Sequence, residues 1–208
     1  MKLFKKVLAA ALAGVLALSV LTGCNNSAAT VTMVDALNDW SKVYGEGITF
    51  EKGNEDLQNQ VNALVKIVDE AGKDIKFGDA KDIYDMYDAF MKNDAARLKL
   101  KEWAKQFTKA NIGDDSPLYE YGFADISATL SASSSKNIYY AEQLINAIDE
   151  INPPETKRDD HDERNWTVGD KFYVAVATGE INGKKYMVAL FKTTAVTNPD
   201  YKPNPGKN

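Results

Sequence analysis

The sequence predicts an α/β protein of the α+β type, a three-layer α/β/α sandwich with a small, mainly antiparallel sheet and a central C-terminal hairpin. Three observations predict it. Apolar residues recur at helical spacing in several segments, most clearly Leu57, Val61, Leu64, Val65 and Val68. Near the end, KFYVAVATGEINGKKYMVALFKT sets Asn182-Gly183 between two β-rich runs, the chemistry of a two-residue hairpin turn. Both faces of that hairpin are apolar, with Phe172, Val174 and Val176 pointing one way and Tyr173, Ala175 and Ala177 the other. A sheet wet on one face would alternate apolar with polar residues, so this hairpin must be covered on both sides, and the helices before it are the available cover. The turn also sets a register that places Glu180 opposite Lys185 and Val174 opposite Phe191.

The elements follow in order. Val34, Leu37, Trp40, Val43 and Tyr44 keep helical spacing and Gly45 ends the run. Ile48-Thr49-Phe50 is a short extended segment. Asn54 caps the helix carrying Leu57 to Val68, which ends near Gly72. Asp79, with Asp82 three residues on, opens a helix through Ile83, Tyr87, Phe90 and Met91 that Asn93-Asp94 breaks or kinks. Leu100, Trp103, Ala104 and Phe107 continue a helical pattern up to Asn111 and Gly113. From Ala124 to Ser133 apolar and polar residues alternate strictly, which predicts a strand with one buried face. Ala141, Leu144, Ile145, Ile148 and Ile151 then mark a helix stopped by Pro153-Pro154.

The first 23 residues have a different character. Lys2, Lys5 and Lys6 precede an apolar run from Val7 to Thr22 whose polar members are Ser19 and Thr22. Sixteen residues at 1.5 Å rise cover about 24 Å, short of the roughly 20 residues a membrane-spanning helix needs, so residues 1–23 read as a removable export signal. The run ends Leu21, Thr22, Gly23, Cys24, with the chain's single cysteine last. That ending resembles the lipobox of bacterial lipoproteins. The resemblance implies that Cys24 is diacylated, becomes the first mature residue, and holds the protein on the extracytoplasmic face of a bacterial membrane. Two acyl chains give stable anchoring where one gives only marginal binding. No second cysteine exists, so the mature chain forms no disulfide within itself. Residues 24–30 then read as the lipidated cysteine and a small, polar tether, with a single globular domain over 31–196 and a flexible tail over 197–208.

Removing residues 1–23 takes away three lysines and no acid, so the formal charge moves from −5 to −8 over the remaining 185 residues. An acidic domain beside an anionic membrane argues against nucleic acid as a partner and against lying flat on lipid headgroups. The partners expected are the lipid bilayer, through Cys24, and a cell-envelope component or extracellular protein; no cofactor and no metal is expected.

LNDWSKVYG, Leu37 to Gly45, resembles the opening helix of the CAP superfamily (cysteine-rich secretory proteins, antigen 5, pathogenesis-related proteins), with Ser41 in place of that family's arginine. ITFEKGNEDL resembles its extended segment entering the second helix, and VAVATG with YMVALF resembles its last two strands. The resemblance implies a cleft gathering histidines and acids. By position Glu142 matches the helix glutamate and His161, the chain's one histidine, matches the histidine ahead of the final hairpin. Asp125, in Ala124-Asp125, stands where the family has Glu-Asn. These three form the candidate cleft, serving a non-catalytic binding domain or, alternatively, an exported hydrolase working through Glu142 and His161.

Other constellations have simpler explanations. RDDHDER around His161 gathers possible ligands, yet adjacent residues on one loop seldom converge on an ion. Ser133 and Lys136 make Ser-x-x-Lys, and Lys192-Thr193-Thr194 lacks the glycine of the motif that accompanies it in serine β-lactamases. Asp79, Asp82, Asp85 and Asp88 suit a helix N-terminus followed by a solvated face.

Overall fold

A computed structural model describes residues 26–73, 75, 83–107, 115–126, 136–151, 166–181, 183–199 and 201. Among the described residues five α-helices accompany a mixed five-stranded sheet, an α+β arrangement. The order is α1 (Asn26–Tyr44), β1 (Thr49–Lys52), α2 (Glu55–Gly72), α3 (Ile83–Lys92), α4 (Asp94–Ala104), β2 (Pro117–Asp125), α5 (Lys136–Ile151), β3 (Trp166–Val168), β4 (Lys171–Ile181) and β5 (Lys184–Thr197). A 3-10 turn, Lys105–Phe107, extends α4.

The strands lie in the order β1-β4-β5-β2, with β3 on the end of β5. β1 runs parallel to β4, and the other pairings are antiparallel. Across β4 and β5, Glu180 lies opposite Lys185 and Val174 opposite Phe191. Gly183 takes φ +77°, a left-handed conformation that favours glycine and suits the tight turn joining these strands. Asn182 lies outside the described residues.

Each face of the sheet carries its own buried cluster. Phe172, Val174, Val176, Met187, Ala189 and Phe191 pack against Ala29, Met33 and Leu37 of α1 and Tyr140, Ala141 and Leu144 of α5. Ala175, Ala177, Ile181, Tyr186, Val188 and Leu190 pack against Leu57, Val61, Leu64 and Val68 of α2, Phe90 of α3, and Leu100 and Trp103 of α4. Successive strand residues point to opposite faces, so two clusters of this kind require the near-continuous apolar runs that β4 and β5 have.

Local chemistry explains the helix ends. Asn54 and Asn93 cap α2 and α4, their side chains accepting from the amides of Leu57 and Ala96. Asn93 thus separates two helices, as its position in the sequence implies. At the end of α1, Gly45 and Glu46 both donate back to the Ser41 carbonyl.

Three expectations are corrected. Residues 26–30 are not a tether: α1 begins at Asn26, and Ala29 and Thr30 are fully buried. β1 stops opposite Val174, and beyond it the backbone of β4 is taken up by side chains. Val176 N donates to Thr30 Oγ1 at 3.0 Å, and Gln58 Nε2 donates to Val176 O at 2.9 Å. Thr30 also donates to Gln58 Oε1, so a small polar residue here closes an otherwise open sheet edge. The second correction concerns β2, which occupies Pro117–Asp125, mostly before the predicted alternation. Tyr119, Tyr121 and Phe123 face the α2–α4 side while Leu118 and Ala124 face the other, so both faces are apolar and the period is hidden. Residues 127–133, the rest of that predicted strand, lie outside the described residues. Third, β5 includes Thr197 and Asn198 is buried, so the tail starts later than residue 197.

Candidate functional site

The residues that resemble the CAP opening helix have a visible structural task. Asn38 Nδ2 donates to Phe50 O and Phe50 N donates to Asn38 Oδ1, both at 2.9 Å, so this side chain pairs with β1 as a strand would. Ser41 Oγ donates to Ile48 O at 2.6 Å. Together they fasten α1 to the edge strand.

Of the candidate cleft, Asp125 ends β2 opposite Tyr186 and meets α5. Its amide donates to Gln143 Oε1 at 2.8 Å, and its charge acts on the Tyr140 hydroxyl. Glu142 is exposed, one position before the buried Gln143. The α5 side chains facing Asp125 are therefore Tyr140 and Gln143 rather than Glu142, because the apolar stripe Tyr140-Ala141-Leu144-Ile145 sets which side of α5 turns inward. His161 and Cys24 lie outside the described residues, as do Asp79, Asp82, Ser133, Pro153-Pro154 and the acidic neighbours of His161.

Tyr140 is 2% exposed, and its hydroxyl has no hydrogen-bond partner among the described residues. Burial first, then the charges of Asp125 and Tyr139, push its pKa up to about 12. The ring is thereby kept neutral.

The other face holds an apolar hollow that sequence reasoning did not anticipate. Val68, Tyr87, Phe90, Leu100, Phe123, Ile181 and Tyr186 line a small apolar hollow with a cavity volume of about 20 Å3, room for roughly one water-sized group. Its aromatic wall is continuous with β2: Tyr87 packs on Phe123 at 5.2 Å, Phe123 on Tyr186 at 6.2 Å, and Tyr121 edge-on to both Phe123 and Trp103. Behind this wall Tyr186 Oη donates to Asp69 Oδ1 at 2.7 Å. Burial raises the Asp69 carboxyl above the usual carboxylate range, and the Tyr186 hydroxyl, the Glu180 amide and the Lys73 charge pull it partly back. Burial and the Asp69 carboxylate in turn raise Tyr186 well above an ordinary tyrosine.

Tyr186 fits because Gly179 lies opposite it, and a Cβ at Gly179 would overlap the tyrosine ring. A glycine inside a strand marks such a close approach, and Gly179 was the available signal for this site. The arrangement is an aromatic packing defect with room for no more than a small apolar group. Among the described residues no group of His, Cys, Asp and Glu could hold a metal ion.

The remaining motifs are structural where they can be seen. Thr193 is buried and donates to Lys171 O at 2.8 Å, and Asp88 pairs with Lys92 at 3.9 Å on the exposed face of α3. No family model, curated protein or solved structure matches this chain.

Proposed function

We propose that the chain is a membrane-anchored extracytoplasmic lipoprotein, held through diacylated Cys24, whose single domain binds a cell-envelope component or extracellular partner without catalysis. The domain is read as a three-layer α/β/α sandwich of divergent CAP type with the β4–β5 hairpin at its centre. The observation that carries the reading is Leu-Thr-Gly-Cys at the end of a lysine-led apolar run. Two helix groups on opposite faces of the sheet support the sandwich, and the half-exposed aromatic wall of β2 and α3 offers a surface for an apolar group of the partner. The hydrolase alternative through Glu142 and His161 has less behind it, since Glu142 is exposed and the side chains beside Asp125 are Tyr140 and Gln143.

Replacing Cys24 tests the anchor. Cys24→Ala is expected to move the protein from the detergent phase to the aqueous phase, or to leave it unprocessed; partition and processing like the wild type would refute the lipoprotein reading. For recognition, pull-down from intact envelopes should recover less partner when Tyr87→Ala removes the half-exposed aromatic wall of the hollow, and equal recovery would exclude this wall as the contact.

A further inference from the structure

The two faces of the sheet differ most at the end away from the β4–β5 turn. On the α1–α5 side the strands stay covered to that end, with Phe172, Phe191, Thr193 and Ala195 all buried. On the α2–α4 side the cover stops earlier. α2 enters beside Val174, whose carbonyl accepts from Gly53 N, and runs toward Ile181, against which Gly72 packs. Ala175 and Leu190, opposite each other, are the last residues of β4 and β5 that the helices bury. Past them the face is open: Tyr173 is 37% exposed, Lys192 is half-buried and Thr194 is exposed.

Three adjacent strands form one row on this open face. Tyr173 lies opposite Lys192 and Lys192 opposite Tyr119, so two aromatic residues flank one ammonium group, their strands about 10 Å apart. Lys192 Nζ sits 5.8 Å from the centre of the Tyr119 ring, and Phe107 backs that ring at 4.6 Å. At the β1 side of the row Lys171 pairs with Glu51 at 2.7 Å and lies 5.4 Å from the centre of the Tyr173 ring. Glu51 is thereby matched, while Lys192 meets no carboxylate among the described residues, in a chain with more acids than bases. Asp115 and Asp170 belong to the segments leading into β2 and β4, beyond this row.

The row selects a chemistry. An exposed tyrosine ring suits the C–H face of a sugar, because the ring's π face is negative and those hydrogens are slightly positive. The Lys171–Glu51 pair and the Thr194 hydroxyl supply donors and acceptors for sugar hydroxyls beside it. Lys192 offers one positive charge. With no arginine on this face among the described residues, a single carboxylate matches it better than a phosphate, which favours bidentate donors. A peptide strand adds through its backbone at a sheet edge, whereas this row lies on a face. We propose that the open face binds an acidic saccharide, a chain of sugar rings carrying carboxylates, with one ring stacked on Tyr173 and a carboxylate on Lys192. The inference rests on the reading of the domain as a binding module and does not depend on the anchor at Cys24.

The test titrates the full chain, in a non-ionic detergent, with hexagalacturonate by calorimetry at low salt, where an exposed charge pair is least screened. Binding is expected to saturate, and to weaken about tenfold or more in Lys192→Gln, with Lys192→Arg restoring it. Tyr173→Ala should weaken it by a similar factor. Both positions reach solvent, so these variants are expected to melt with the wild type. Tyr139→Ala, which removes an exposed tyrosine of α5, should bind as the wild type does. Equal affinity for the neutral galactose hexamer overturns the pairing with Lys192, and equal affinity for hexaglutamate overturns the saccharide in favour of an acidic peptide. Absence of hexagalacturonate binding, or binding unchanged in both Lys192→Gln and Tyr173→Ala, overturns the site. Either result leaves the pull-down with Tyr87→Ala to decide the binding role separately.

Discussion

Two buried tyrosines lie on opposite faces of one sheet, and they have been treated differently by their surroundings. Tyr186, on the α2–α4 face, is wholly buried, and its hydroxyl is satisfied by Asp69. Tyr140, on the α1–α5 face, is equally enclosed, yet its hydroxyl meets no partner among the described residues and feels the charge of Asp125 instead. The strands explain part of the contrast. On the α1–α5 face β4 presents Phe172, Val174 and Val176, and on the other face Ala175, Ala177 and Gly179. Large strand residues fill the first face and leave polar contacts to its edges, at Thr30, Asn38 and Ser41. Small strand residues leave room on the second for Tyr186, its carboxylate and the hollow beside them. One face is a clamp, and the other is an aromatic packing with a small hollow in it.

The largest effect is expected from breaking the clamp. Val174 is fully buried opposite Phe191, and Val174→Asp both removes a core side chain, worth about 2–5 kcal/mol, and buries a charge without a partner. The expected outcome is a variant with no cooperative melting transition. A soluble variant that melts with the wild type would mean that β4 is peripheral to stability.

Next in size is the fit between Gly179 and Tyr186. Gly179→Ala forces a methyl group against a ring that cannot swing into solvent, at a cost of about 1–3 kcal/mol. The cost should shrink when Tyr186→Ala is also present, because the clash then has no second member. Additive losses in denaturant titrations would show that the glycine serves some other purpose.

How far these contrasts are legible in the sequence depends on the kind of contact involved. The β4–β5 register could be read because Asn182-Gly183 and the apolar runs beside it are local signals of one kind. The stripe of α2 could be read because Leu57, Val61, Leu64, Val65 and Val68 all meet the same face. β2 was hidden because its aromatic residues cover one face while Leu118 and Ala124 cover the other, leaving no polar alternation to detect. The first turns of α1 were hidden for another reason: Ala29 and Thr30 look like linker residues, and their use depends on Val176, which is 146 positions away from Thr30. In the site, Asp125 was expected to matter, but the α5 residues facing it could not be chosen from their polarity. Glu142 and Gln143 are adjacent, and only the packing of Tyr140, Ala141 and Leu144 decides between them.

A smaller change separates the hydroxyl of Tyr186 from its ring. Tyr186→Phe keeps the aromatic wall but deprives half-buried Asp69 of a donor, with an expected loss of about 1–2 kcal/mol near neutral pH. The pH dependence has a definite sign. Asp69 is raised above its ordinary value in the folded protein, so its contribution to stability is present below the unfolded pKa of 3.8 and is lost as pH rises through the folded one. Without the Tyr186 hydroxyl the folded pKa rises further, and that loss should extend to higher pH in denaturation curves measured from acid to neutral. Superimposable pH profiles for the two proteins would mean that Asp69 does not sense the hydroxyl.

The smallest stability change, and the sharpest contrast, is expected at Tyr140→Phe. The same chemical deletion now removes a buried hydroxyl that meets no protein partner, so no hydrogen bond is lost and the desolvation cost of an unsatisfied group is relieved. Stability at neutral pH should be unchanged or higher by up to about 1 kcal/mol. At alkaline pH the sign can be followed separately. Tyr140 titrates near 10 when unfolded and at about 12 when folded, so wild-type stability falls as pH rises between these values, with Tyr186 adding to the same fall. Tyr140→Phe should make that decline shallower without abolishing it, measured as denaturation midpoints across the alkaline range. A loss above about 1 kcal/mol at neutral pH would instead show that the Tyr140 hydroxyl is satisfied, by a bound water or ligand beside Asp125, and the contrast between the two faces would then fail at this position.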